Sequence, residues 1–170
     1  MSNNKSKLKN ITAGAMMAAL SIILERVISL MPASNMMDIR ISLSNVPLIL
    51  ASILISPVVG GIAGVVSDIV GCFISGYAPF PILTIAPFIM GFLPGVIVKS
   101  DSKSFVKLVL AIFVTHIISS VLITTYGLSV MRGVAFIPML ITRLPSMSIN
   151  LVIDVVLVYL LIKTPISKIR

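Results

Sequence analysis

Four arginines carry the most suggestive chemistry of this chain: Arg26, Arg40, Arg132 and Arg143 flank or enter long apolar stretches. A guanidinium is planar, permanently charged and grips a carboxylate or phosphate through two parallel N–H bonds. Four of them at the ends of apolar segments suit an anionic ligand. The lysines are placed differently. All eight fall in three clusters: Lys5, Lys7 and Lys9; Lys99, Lys103 and Lys107; and Lys163 and Lys168, joined by Arg170. Lysine-rich flanks of apolar spans are retained on the cytoplasmic side during insertion. If the lysines mark the inside, the four arginines gather toward the outside.

Two acids interrupt apolar stretches, Asp68 and Asp154. An ionisable group within a span faces a cavity or finds a partner. A carboxylate accepts two parallel N–H bonds from a guanidine-like ring edge. Asp68 is therefore a candidate for reading a heterocycle, with an ion pair to an arginine of the same chain as the alternative. Asp154 reads as a structural polar contact. For Arg26 and Arg143, predicted at one outer level, snorkelling to lipid headgroups competes with a ligand site. His116 is the only histidine and has no neighbouring acids to complete a metal set, so it reads as a hydrogen bond between helices. Tyr77, Phe80 and Tyr126 fall at predicted outer span ends. There an aromatic belt competes with stacking on a flat ligand.

These groups need a membrane scaffold. The chain has 170 residues, 58% of them hydrophobic and only 11% charged, with a mean hydropathy of +1.16. A soluble domain carries about 25% charged residues. The reading is an all-α integral membrane protein, one domain over 1–170. A basic cytoplasmic tail at 1–10 leads into a retained first helix. Six spans are predicted, near 11–30, 43–55, 58–75, 82–99, 105–126 and 142–162. Six place both termini and the lysine-bearing connection after the fourth span on one side, as the charge rule requires. The net charge of +8 is explained by these flanks and calls for no nucleic acid. Cys72 is the sole cysteine, which excludes an intramolecular disulfide and a cysteine metal site.

Small residues recur at helical spacing. Gly60, Gly64 and Gly71 form a stripe in the third span, and Gly14/Ala18 and Ala15/Ala19 form two pairs in the first. Such stripes let helix backbones approach closely in lipid. Internal packing is the reading for the glycines. For Ala15 and Ala19, packing and docking of another membrane protein stay open. No GxxxxGK[ST] loop, HExxH or GxSxG sequence is present. A bundle with an arginine-rich outer mouth and no energy-converting motif reads as a binding protein driven by a partner.

The chain resembles the substrate-binding S component of an energy-coupling factor vitamin transporter, and most closely the folate-specific branch. The resemblance is carried by AMMAALSIILERV at 15–27, DIRISLSNVPLILASILISPVVGGIAGVVSDIVG at 38–71, and GYAPFPILTIAPFIMGFLPGVI at 76–97. TYGLSVMRGVAFIPMLITRLP at 125–145 matches more weakly. It implies six helices around an outward-open pocket, a transmembrane coupling protein and two ATPase subunits as partners, and ATP used there with no cofactor in this chain. It also implies that the S component topples in the bilayer, and that Ala15 and Ala19 form the contact with the coupling protein. For a folate it implies Arg26, Arg40 and Arg143 on the glutamate tail or pterin oxygen. Tyr77 and Tyr126 would stack on the rings, and Asn45 or Asp68 would read the pterin edge. SLSNVP and PFPILT depart from the pattern near the pocket mouth, so pantothenate, thiamine or a deazapurine remain alternatives. A lipid-headgroup enzyme and a ligand-free assembly protein are the competing classes.

Overall fold

The computed structural model describes residues 2–29, 42–76, 78–98 and 105–163. Six helices make up nearly all of them. α1 is Ser2–Ser29, α2 Asn45–Leu54, α3 Pro57–Ile74, α4 Pro81–Val98, α5 Phe105–Arg132 and α6 Phe136–Lys163. No strand occurs among the described residues. Five helices are long and apolar enough to cross a bilayer, which makes this a multi-pass membrane protein.

α2 is the exception. Its ten residues rise only about 15 Å, half the thickness of a hydrocarbon core. Val46 to Ser52 are all buried, so the helix is enclosed on every side by α1, α3, α4 and α6. A helix apolar all round suits such an enclosed position. Asn45, its first residue, is hydrogen bonded to Asp154 in the second half of α6. α2 therefore fills only the part of the bundle farther from the α5–α6 turn. Pro57 then opens α3 at a position where a missing N–H costs nothing, directly after Ser56 in extended conformation.

The tightest packing is between α3 and α4. A Cβ at Gly60 would overlap the Gly91 carbonyl oxygen, one at Gly64 the Pro87 carbonyl, and one at Gly91 the Gly60 carbonyl. The glycine stripe is thus an internal seam where two backbones touch. Ile49 of α2, Leu108, Ala111 and Ile112 of α5 and Val158 of α6 build the core beside it. Ile62, Phe73, Leu110 and Ile141 lie exposed on the outer surface, where lipid tails replace water as the solvent.

Three sequence boundaries need correction. The first helix starts well before residue 11: α1 is already helical from Ser2. The fifth helix continues past Tyr126 to Arg132, and the sixth begins at Phe136, not near 142. Gly127 gives the reason for the first shift. It packs under Leu83 and Ile82 of α4, so tertiary contact carries the helix through a segment of weak apolar character. Gly133 then stops it in the left-handed region (φ 65°), where its N–H bonds back to the Ser129 carbonyl. Pro138 sits in the first turn of α6, where proline is tolerated. Arg132 consequently belongs to a helix end and not to a long outer loop.

Candidate functional site

A cavity of about 370 Å³ opens within the bundle, in the size range of small-molecule sites. All six helices contribute to its wall. Leu48 with Asn45 and Ser44 come from the start of α2, below the cavity, and Arg132 with Met139 from the α5–α6 end, above it.

The local backbone of α4 and α5 is irregular where it meets this space. Pro87 lines the cavity and removes the helix hydrogen bond to the Leu83 carbonyl. Between Ile117 and Thr124, α5 widens into a π-helix. The Thr124 and Thr125 hydroxyls bond carbonyls five residues back, on Ser119 and Ser120, at 2.8 and 2.9 Å. This wider pitch brings Ser119, Ser120 and Thr124 together onto the cavity wall. Insertions of this kind recur at functional sites. Ser119 Oγ also donates to the Ala86 carbonyl at 2.8 Å, tying the widened segment to α4.

The cavity wall carries charge of both signs. Glu25 of α1 and Asp68 of α3 line it, as do Arg132 of α5 and Arg143 of α6. Asp68 Oδ2 accepts a hydrogen bond from Thr84 Oγ1 at 2.7 Å, which fixes the carboxylate against α4. Arg143 Nη1 donates to Thr125 Oγ1 at 3.4 Å. The wall is also rich in hydroxyls, among them Ser21, Ser44, Ser67 and Ser146.

The sequence-derived site residues separate into three groups. Asn45, Asp68 and Arg143 line the cavity, as does Arg132. Arg26 and Tyr126 do not. Arg26 donates to the Gly71 carbonyl and to Ser75 Oγ, at the C-terminal end of α3. A cation there meets the negative end of the helix dipole, which is reason enough for its position. Tyr126 is 55% exposed on the outside of α5, away from the cavity. Arg40 and Tyr77 lie outside the described residues. For Arg26→Ala we expect a loss of about 1–2 kcal/mol in stability, seen as earlier thermal unfolding of solubilised protein. Unchanged unfolding would show that the α1–α3 contact contributes nothing.

His116 and Asp154, each expected separately to make a polar contact, meet each other across two helices, Nε2 to Oδ2 at 2.8 Å, and Asp154 is fully buried. Among the described residues no group of three potential metal ligands occurs. The hydroxyls were missed by sequence reasoning. Single serines inside apolar spans were the available signal. Ser119 and Thr124 are five apart, which fits the π pitch and escapes a search at 3.6 residues per turn.

The two small-residue pairs of α1 also separate. Gly14 and Ala18 face inward, with Gly14 over Val59 and Ala18 packed with Leu48 and Ala63. Ala15 and Ala19 are exposed.

Comparison with known proteins agrees with this architecture. The model of the family "ECF-type riboflavin transporter, S component" matches residues 5–166. The folate transporter FolT of Clostridium novyi (strain NT) is 26% identical over 146 residues, covering 85% of this chain and 83% of that protein. The family match spans the helices that build the cavity and the exposed alanine pair alike, and the chain belongs to the family of ECF-type riboflavin transporter S components.

Proposed function

We propose that this protein is the substrate-binding subunit of an ATP-driven vitamin importer and that its ligand is folate or a reduced folate. The observation that carries the ligand assignment is the presence of both arginines and acids in the wall of one cavity. Folate has a flat pterin with a donor-rich, guanidine-like edge and a glutamate tail with two carboxylates. Asp68 and Asn45, which both line the cavity, suit the first. Arg132 and Arg143 suit the second. The FolT relative supports the same choice. Mass spectrometry of small molecules released from detergent-solubilised protein tests it: a folate is expected, and another vitamin in its place would redirect the assignment.

Riboflavin is the second reading, favoured by the family match and by the hydroxyl-rich wall, which suits a polyol chain. Two guanidinium groups on the wall, Arg132 and Arg143, suit an anionic ligand better than a neutral one, which places riboflavin second.

A hydrogen bond to a charged group contributes about 1.5–3 kcal/mol, roughly ten- to hundred-fold in affinity. Arg143→Ala is expected to weaken folate binding by about that factor. Pteroic acid, which lacks the glutamate, should lose much less. Equal losses for both ligands would move Arg143 from the tail to the pterin.

The exposed pair Ala15 and Ala19 is proposed as the approach surface for a transmembrane coupling protein, with two ATPases supplying the energy and toppling of this subunit delivering the ligand. The lysine-bearing ends, with Lys107 and Lys163, are proposed to face the cytoplasm. In a Cys72→Ser background, Val134→Cys should react with an impermeant thiol reagent in intact cells and Lys163→Cys should not. The opposite pattern would invert the orientation.

A further inference from the structure

Asp154 is fully buried, yet it does not line the cavity. It holds two residues that do. Its Oδ2 receives Asn45 Nδ2 at 3.1 Å from α2 and His116 Nε2 at 2.8 Å from α5. We infer that Asp154 is a positioning residue that sets the hydrogen-bond polarity of the inner cavity wall, turning Asn45 to offer its carbonyl oxygen and holding His116 with its proton on Nε2, so that this wall selects a ligand edge bearing N–H donors. The inference deepens the proposed function and rests on it for the identity of the ligand.

The argument is one of donors and acceptors. A carboxylate only accepts, so the side of Asn45 that faces it must be the NH₂. An amide has two ends, and fixing the nitrogen on Asp154 fixes the oxygen on the other side. Among the described residues no hydrogen bond occupies that oxygen, and Asn45 belongs to the cavity wall. Without Asp154 the amide would be free to reverse, and the wall would offer a donor as readily as an acceptor.

The same logic applies to His116. An imidazole that gives its Nε2 hydrogen to a carboxylate has its tautomer set by that bond. Its Nδ1 is buried and without a hydrogen-bond partner. A single oxygen therefore orients polar groups from two different helices, directly beneath the π-helical segment that follows His116. A contact of purely structural value would not require both partners to be wall residues.

Folic acid has a 2-amino-4-oxo pteridine that offers N–H donors at the 2-amino group and at N3, whereas 2-desaminofolic acid lacks the 2-amino donors. An acceptor wall discriminates between them. Wild-type protein should prefer folic acid, and Asp154→Asn should reduce that preference about tenfold, since a site built around a hydrogen bond rejects the analogue that lacks it. Asn45→Leu should reduce it similarly, and the double variant should show no further loss in preference. Thermal unfolding of each variant identifies any that fail to fold. A second readout needs no ligand. His116 is the only histidine, so ¹⁵N-histidine labelling gives one pair of imidazole signals. Nε2 should carry a proton in wild-type protein, and the spectrum should change in Asp154→Asn. A preference unchanged in a folded Asp154→Asn variant, or a neutral histidine protonated on Nδ1 in the wild type, would overturn the inference. If neither pteridine binds wild-type protein, the folate reading falls, and the histidine spectrum alone decides the role of Asp154.

Discussion

Gly64→Leu is expected to yield no folded protein after solubilisation, while Gly71→Ala is expected to be harmless. Both glycines lie on α3 in one sequence stripe, so periodicity does not tell them apart. At Gly64 a Cβ would already overlap the Pro87 carbonyl, which belongs to a backbone and has no rotamer to change. Leucine adds three carbons beyond that overlap. Overpacking of a well-packed core costs about 1–3 kcal/mol when neighbours yield. A helix backbone yields less than a side chain, so α3 and α4 must separate. That separation displaces Asp68 from Thr84 and opens the wall that Pro87 contributes to the cavity. At Gly71 the nearest foreign atom is Glu25 Oε2, 4.0 Å from the added Cβ. Alanine there meets ordinary contact and gains about 1 kcal/mol of helix propensity over glycine. Size-exclusion profiles and thermal unfolding compare the two variants. Equal behaviour would show that the α3–α4 seam is not the close backbone contact described.

Ala19→Trp is expected to abolish uptake by cells while leaving ligand binding to the isolated subunit intact. Ala19 is exposed, next to Ala18, which is buried against Leu48 and Ala63. An indole at position 19 therefore has room in the isolated protein and costs the fold little. It would hold a second helix away from α1 by the thickness of a ring, and packing between membrane helices depends on close backbone approach. Ala15→Trp should behave alike. Co-purification with the coupling subunits and ligand titration of the isolated protein measure the two effects separately. A variant that still binds its partners would show that the coupling protein docks on another face. A variant that loses ligand binding would show that α1 itself had been displaced.

Much of this architecture was legible because the membrane simplifies the physics. Every backbone polar group must be paired within its own helix, so apolar length alone locates spans. Gly60 and Gly64 could be read as a seam because small residues at helical spacing let backbones touch. His116 and Asp154 could each be read as making a buried polar contact because an ionisable group is costly in lipid without a neighbour. Other features depended on tertiary structure. Arg26 and Arg143 are alike in sequence, each near one end of an apolar stretch. One meets the carbonyl end of α3 and the other the cavity, and the difference is set by which helix stands beside each. The continuation of α5 to Arg132 depends on Gly127 fitting under α4. The π-helical pitch that gathers Ser119, Ser120 and Thr124 leaves no mark in a 3.6-residue period.

Titration of the isolated, detergent-solubilised protein with folic acid and, separately, with riboflavin tests the central claim most directly. The account predicts saturable one-to-one binding of folic acid, weakened by Arg143→Ala, with riboflavin binding far more weakly. Tight riboflavin binding by well-folded protein, with no response to folic acid, would contradict it.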